Sequence, residues 1–236
     1  MSHPIQAILF DGVGTLFRPR GSVGEVYHAV AAQHRPDLTP EELEAAFREE
    51  LATAEPMAFP GLSPEHLKAM ELQWWYDRVY RIFARFDILL DFETYRDQIY
   101  EAFRGPAWVP YPETRDTLVQ LRERGLTVAV LSNFDSRLPE VLDHLGLTPL
   151  VDHAVYASPH GVAKPDPRLF AIALERCGVG PEAAVHVGDE LGDDVSGARA
   201  AGIRPVLVDR DRRRLSTVEL PVIHRLDELL PLLERL

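Results

Sequence analysis

The sequence predicts an α/β protein: a parallel sheet covered on both faces by helices and interrupted after its first strand by an all-helical insertion. Three observations carry this reading. Short apolar runs of strand length alternate with helical patterns, a glycine stands just past each of those helices, and a long segment after the first strand holds helix signals without a convincing strand.

The first run, 5–10, ends at Asp11 and is followed by Gly12 and Gly14, so it reads as a buried strand entering a tight loop. Four further runs lie at 127–131, 154–157, 184–187 and 205–208. Helical patterns at 112–124, 138–145, 167–177 and 195–201 separate them and stop at Gly125, Gly146, Gly178 and Gly202. Glycine there supplies the left-handed C-terminal cap that ends a helix. Strand–helix alternation of this kind builds a Rossmann-like parallel sheet, in which chemistry collects at the carboxyl ends of the strands.

The stretch 19–105 reads differently. Val23, Val26, Tyr27, Val30 and Ala31 form one apolar face at helical spacing. Thr39-Pro40-Glu41-Glu42 is a capping box with proline at the first helical position, and Ser63-Pro64 opens a second helix in the same style. Asp91 is expected to cap a last helix carrying Phe92, Tyr95, Ile99 and Phe103, and Trp74 and Trp75 are expected in the core of this segment. Prolines at 106, 110 and 112 mark the return to the sheet. The expected division is therefore a core of 1–18 and 106–236 around a helical cap of 19–105, joined by two linkers that could hinge.

Composition narrows the function. A formal charge of −12 excludes a surface built for nucleic acid or an anionic membrane, since either needs clustered cations. The run Arg212-Arg213-Arg214 reads as a solvated loop. Cys177 is the only cysteine, which fits a reducing cytoplasm, and the N-terminal residues lack the basic and apolar regions of a signal peptide. Lys68 and Lys164 are the only lysines among 25 basic residues, so each invites a reason.

Four stations follow strands. Asp11, in FDGVGTLF, would expose a carboxylate to a nest of backbone N–H groups, as a nucleophile or simply as a loop former. Ser132 and Asn133, in VAVLSNFDS, could hold a phosphoryl oxygen or shape a turn. Lys164, in GVAKPDPRLF, offers a compact charge suited to phosphate. In VHVGDELGDDVSGA, Asp189 is followed one turn later by Asp193 and Asp194. Such a cluster of oxygens selects Mg²⁺, although one of the latter pair also fits a helix N-cap.

In this order, the strings LSNFDSRL, KPDPRLF and HVGDELGDDVSGARAAG resemble the haloacid dehalogenase superfamily, in the subgroup whose helical cap lies between the first and second motifs. The resemblance covers essentially the whole chain, and Trp74-Trp75 together with SNFD is similar to one branch of that subgroup. It implies a Mg²⁺-dependent phosphatase acting on a small phosphorylated metabolite. Asp11 would be the nucleophile and a metal ligand, with Ser132, Asn133 and Lys164 on the phosphoryl oxygens and Thr15 bracing the first loop beside the phosphate. Asp189, Asp194 and the Val13 carbonyl would complete the metal site.

One position departs from the pattern. Phosphatases of this superfamily carry an acid–base aspartate two residues after the nucleophile, and here that residue is Val13. Losing general acid–base help costs about 10²–10⁴-fold in rate. The alternatives are a non-catalytic protein that binds a phosphometabolite, a metal-independent dehalogenase, which also lacks that aspartate, and a phosphonatase using Lys68. Within the phosphatase reading, either the substrate has a good leaving group or an acid comes from elsewhere, with Glu190 or a cap residue as the candidates.

Overall fold

The computed structural model describes residues 4–89, 91–212 and 220–235. In chain order the elements are β1 (Ala7–Phe10), β2 (Phe17–Pro19), α1 (Val23–Ala31), α2 (Pro40–Ala52), α3 (Pro64–Ala84), α4 (Phe92–Ala102), β3 (Trp108–Pro110), α5 (Thr114–Glu123) and β4 (Thr127–Ser132). There follow α6 (Leu138–His144), β5 (His153–Tyr156), α7 (Pro167–Cys177), β6 (Ala184–Gly188), α8 (Gly197–Ala200), β7 (Arg204–Val208), β8 (Val222–Ile223) and α9 (Leu229–Leu233).

Six strands form one parallel sheet in the order β5-β4-β1-β6-β7-β8. Successive residues of a strand point to opposite faces, and here both faces are covered, which is why the runs are mostly apolar. Ile8, Phe10, Val128, Val130, Val185 and Val187 pack on one side with α5, α6 and α9. Leu9, Ala129, Leu131, Val155 and Ala184 pack on the other with α7 and α8. The expected glycines stop the helices: Gly125, Gly146, Gly178 and Gly202 all have positive φ, between 66° and 77°. The chain leaves β1 for β4 on one side and later crosses to β6 on the other, so β1 lies at the switch point where open α/β sheets place their sites.

Helices α1–α4 form the cap, with Tyr27, Leu43, Ile82, Phe83, Tyr95 and Ile99 as a separate apolar core. Thr39 makes the full capping box and Ser63 accepts from the His66 N–H. Two expectations change here. Asp91 stands before α4 but in a left-handed conformation (φ 57°), and its side chain makes no cap hydrogen bond. Trp74 and Trp75 are only half-buried: Trp74 donates to the Glu55 carbonyl and lies under Arg78, while Trp75 faces the sheet domain.

Cap and core meet through polar bonds. Trp75 Nε1 donates to Asp135 Oδ2 at 2.6 Å. Fully buried Glu71 accepts from the Ser136 N–H at 3.0 Å and from the hydroxyls of Ser136 and Ser158. A short antiparallel pair, β2 with β3, ties the two linkers together. Arg212 is exposed, and Arg213 and Arg214 lie outside the described residues. No helix among the described residues is long and apolar enough to cross a membrane.

Candidate active site

The four stations converge at the carboxyl ends of β1, β4 and β6. Asp11 continues the ladder of β1, its N–H donating to the Val187 carbonyl at 2.9 Å, and is 7% exposed. Ser132, the last residue of β4, donates from Oγ to Asp11 Oδ1 at 3.2 Å. Lys164 Nζ donates to Asp11 Oδ1 at 2.5 Å and to Asp194 Oδ1 at 2.6 Å. Asn133 does not reach into this cluster. Its amide clasps the Lys164 backbone, donating to the carbonyl at 2.9 Å and accepting from the N–H at 2.7 Å, and it also donates to Asp193.

The loop after β1 is shaped by close approach. Gly14 has φ 88°, and a Cβ there would stand 2.4 Å from Asp189 Oδ2, so both its backbone and the adjacent carboxylate require glycine. Thr15 is fully buried and donates to Asp189 Oδ1 at 3.3 Å, which makes it a brace for that carboxylate. Gly188 is needed for a similar reason, since a Cβ would lie 2.2 Å from the Asp194 carboxyl carbon.

The turn after β6 is a π-helical turn, Leu191–Ser196, flanked by Glu190. Neither Asp193 nor Asp194 is its N-cap, contrary to expectation. The wide turn instead carries Asp194 back toward the strand, where its carboxylate accepts from the Glu190 N–H at 3.0 Å and meets His186 Nε2 at 2.9 Å. Glu190 is exposed, and Lys68 is exposed on α3.

Asp11, Asp189 and Asp194 each offer an oxygen within 4.8 Å of the other two. Burial pushes Asp11 upward, with the Lys164 ammonium opposing. Burial, then Asp11 and Asp194, push Asp189 up to about 7. Burial acts upward on Asp194 as well, but Lys164 and His186 outweigh it and hold the carboxyl below its ordinary range. For Lys164 burial acts downward, and the two carboxylates overcome it and raise the ammonium. Three carboxylates against one ammonium leave an excess of negative charge in a buried space. A divalent cation with oxygen ligands fits that donor set, and Asp11, Asp189 and Asp194 would hold it.

Val13 sits in the same loop. Its half-buried side chain packs against the sheet core and lines an apolar cavity beneath the cap, so no carboxylate stands at that position. Three participants were not anticipated from the sequence. His186 is buried on β6 against Asp194, and its only signal is a polar residue within an apolar run. Glu71 belongs to the cap–core contact described above. Arg210, just after β7, donates to the carbonyls of Gly14 (3.1 Å) and Thr15 (2.6 Å) and to Glu113 (2.7 Å), and lies 3.3 Å over the Tyr111 ring. It ties down the loop that carries Asp11.

A capped parallel α/β core with these stations at its strand ends defines the class of haloacid dehalogenase-like hydrolases. The chain belongs to that family, whose model matches residues 5–202. It is 35% identical, over 97% of its length and 96% of the relative's, to haloacid dehalogenase-like hydrolase domain-containing protein 3 of Danio rerio, the branch to which Trp74-Trp75 and SNFD point. Over 104 residues, 44% of this chain and 42% of the relative, it is 45% identical to the phosphoserine phosphatase of Thermus thermophilus. Among solved structures it is similar to a HAD phosphatase from Thermococcus onnurineus, at 25% identity and TM-score 0.67, covering 97% of this chain and 98% of that one.

Proposed function

We propose that this protein is a Mg²⁺-dependent phosphatase for a small phosphorylated metabolite, working through a phosphoryl group carried on Asp11. The observation that carries the reading is the convergence of Asp11, Lys164, Asp189 and Asp194, with Ser132 on the nucleophile. The core of 1–18 and 106–236 holds the chemistry, and the cap of 19–105 covers it.

The Asp11 carboxylate oxygen attacks phosphorus in line with the leaving oxygen, and Asp11 becomes an aspartyl-phosphate. Lys164 holds the nucleophile in place and neutralises the incoming phosphoryl charge, and the Ser132 hydroxyl turns from Asp11 to a phosphoryl oxygen. Asn133 fixes Lys164 through its backbone, and Thr15 fixes Asp189. Bound Mg²⁺, held by Asp11, Asp189, Asp194 and the Val13 carbonyl, would screen the phosphoryl oxygens from the nucleophile's charge. Val13 moves no proton, so this reading favours a leaving group that departs as a stable anion, and water then displaces phosphate from Asp11 without a base at residue 13.

Two rival readings are weaker. A dehalogenase has no use for three clustered carboxylates, and a phosphonatase amine is not offered by the exposed Lys68. A protein that only binds a phosphometabolite shares the site but not the turnover. The single cysteine supports a cytoplasmic location. Phosphate release from p-nitrophenyl phosphate, measured with Mg²⁺ and with chelator, tests the proposal. Release that requires the metal and vanishes in Asp11→Asn is expected, and no release under any metal condition leaves the binding protein as the better reading.

A further inference from the structure

Beneath the cap lies a cavity of about 260 Å³ that Val13 and Asn133 border, so one end adjoins the nucleophile loop. Aromatic rings from both sides wall it, Tyr27 and Trp75 from the cap, Trp108 and Phe134 from the core. A dry cavity of about 150 Å³ accepts benzene, so this volume admits one substituted ring. The cavity presents little free charge. Arg137, buried in its wall, is bonded to Asp135 through Nε at 2.9 Å and Nη2 at 2.5 Å and lies over the Tyr100 ring. Arg96 lies beside Asp97 at 3.5 Å and over the Tyr76 ring.

Two buried polar atoms of the wall make no hydrogen bond among the described residues: Arg96 Nε, which is ion-paired with Asp97, and the Tyr100 hydroxyl, which is the neutral one. Tyr100 is 7% exposed. Burial pushes that hydroxyl up to about 12, so it is a neutral donor. A buried hydroxyl without a partner is costly, and a ligand that supplies the partner recovers the difference.

We infer that the cavity holds the organic moiety of the phosphorylated ligand, and that this moiety is an uncharged ring bearing one further oxygen or nitrogen that meets the Tyr100 hydroxyl. The inference rests on the phosphatase reading for the position of the phosphoryl group. It also fits Val13, because an aryl oxygen leaves without an acid. The polyols and amino acids that many phosphatases release would bury several polar groups against these walls without partners.

Binding can be read without turnover, by calorimetry on the full chain with Mg²⁺. The probes are 4-hydroxybenzyl alcohol, 4-methylphenol, which lacks the second oxygen, and glycerol, which lacks the ring. The wild type should bind 4-hydroxybenzyl alcohol best and glycerol not measurably. Tyr100→Phe should weaken the first by about three- to tenfold, the worth of one hydrogen bond, and leave 4-methylphenol unchanged. Equal weakening of both ring probes would assign Tyr100 to packing alone, and glycerol binding as tightly as the rings, or no ring binding, would overturn the inference. Turnover is scored separately. Faster hydrolysis of glycerol 2-phosphate than of phenyl phosphate contradicts the cavity assignment and leaves the phosphatase standing. Tyr100-dependent ring binding in a protein that hydrolyses neither does the reverse.

Discussion

Val13→Asp restores the missing carboxyl group at a known cost. The side chain is half-buried and borders both the apolar cavity and the loop that holds Asp11, so a carboxylate there loses solvation and joins three others. That should destabilise the fold by about 1–3 kcal/mol. At about 2–4 °C per kcal/mol for a chain of this size, the melting temperature should fall by roughly 2–12 °C. The gain lies in the chemistry, because general acid–base catalysis supplies about 10²–10⁴-fold where the leaving oxygen needs a proton. For glycerol 2-phosphate the mutant should gain at least about tenfold in rate, after allowance for a less favourable site. For p-nitrophenyl phosphate the first turnover should change by less than about threefold, since that oxygen leaves as a stable anion. The wild type should show a burst of p-nitrophenol and then slow turnover, and the mutant a more nearly linear trace. Initial rates on both substrates, for both proteins, decide the matter. Equal wild-type rates on the two, with no gain in the mutant, would mean that another residue already supplies the proton.

Other outcomes follow from the same geometry. Saturating Mg²⁺, at about a hundred times its dissociation constant, should add about 2.7 kcal/mol and raise the melting temperature by roughly 5–11 °C. Asp189→Asn should remove most of that rise, whereas Ca²⁺ should bind and support hydrolysis poorly, since its looser coordination misplaces the nucleophile. Lys164→Arg should be nearly as damaging as Lys164→Ala, because a planar fork cannot occupy the point between Asp11 and Asp194 that the ammonium fills at 2.5 and 2.6 Å. Wild-type phosphate affinity in the arginine variant, by calorimetry, would contradict this. Arg210→Lys should lower kcat by about tenfold with little change in KM, because one ammonium cannot bond the Gly14 and Thr15 carbonyls and Glu113 together. An unchanged kcat would remove Arg210 from the positioning of Asp11.

Five of the sheet's six strands were legible in the sequence because they are largely buried on both faces and therefore mostly apolar, and because left-handed glycines end the helices between them; two-residue β8 was too short to read. Asp11, Ser132 and Asp189 were legible because each ends or directly follows such a strand, whereas Lys164, in the loop beyond β5, stood out as one of only two lysines. Three-residue β2 and β3 were not, since no periodicity can be read over so few positions. Asp91 misled because aspartate favours N-caps and also tolerates the left-handed conformation it adopts here. The π-helical turn that re-aims Asp194 depends on Glu190 accepting from both Asp194 and Val195, which spacing alone does not reveal. Arg210, Glu71 and Tyr100 act across the cap–core junction or between distant loops. They resemble many other arginines, glutamates and tyrosines until the fold brings them to the site.

The central claim is that Asp11 carries the phosphoryl group. It is tested most directly by acid-quenching the protein during turnover of p-nitrophenyl phosphate with Mg²⁺ and mapping its peptides by mass spectrometry. With no base at Val13 the intermediate should accumulate. The peptide containing Asp11 should gain the mass of one phosphoryl group, sensitive to hydroxylamine, and should lose it in Asp11→Asn. Steady phosphate release with that peptide unmodified, or with the modification on another residue, would contradict the account.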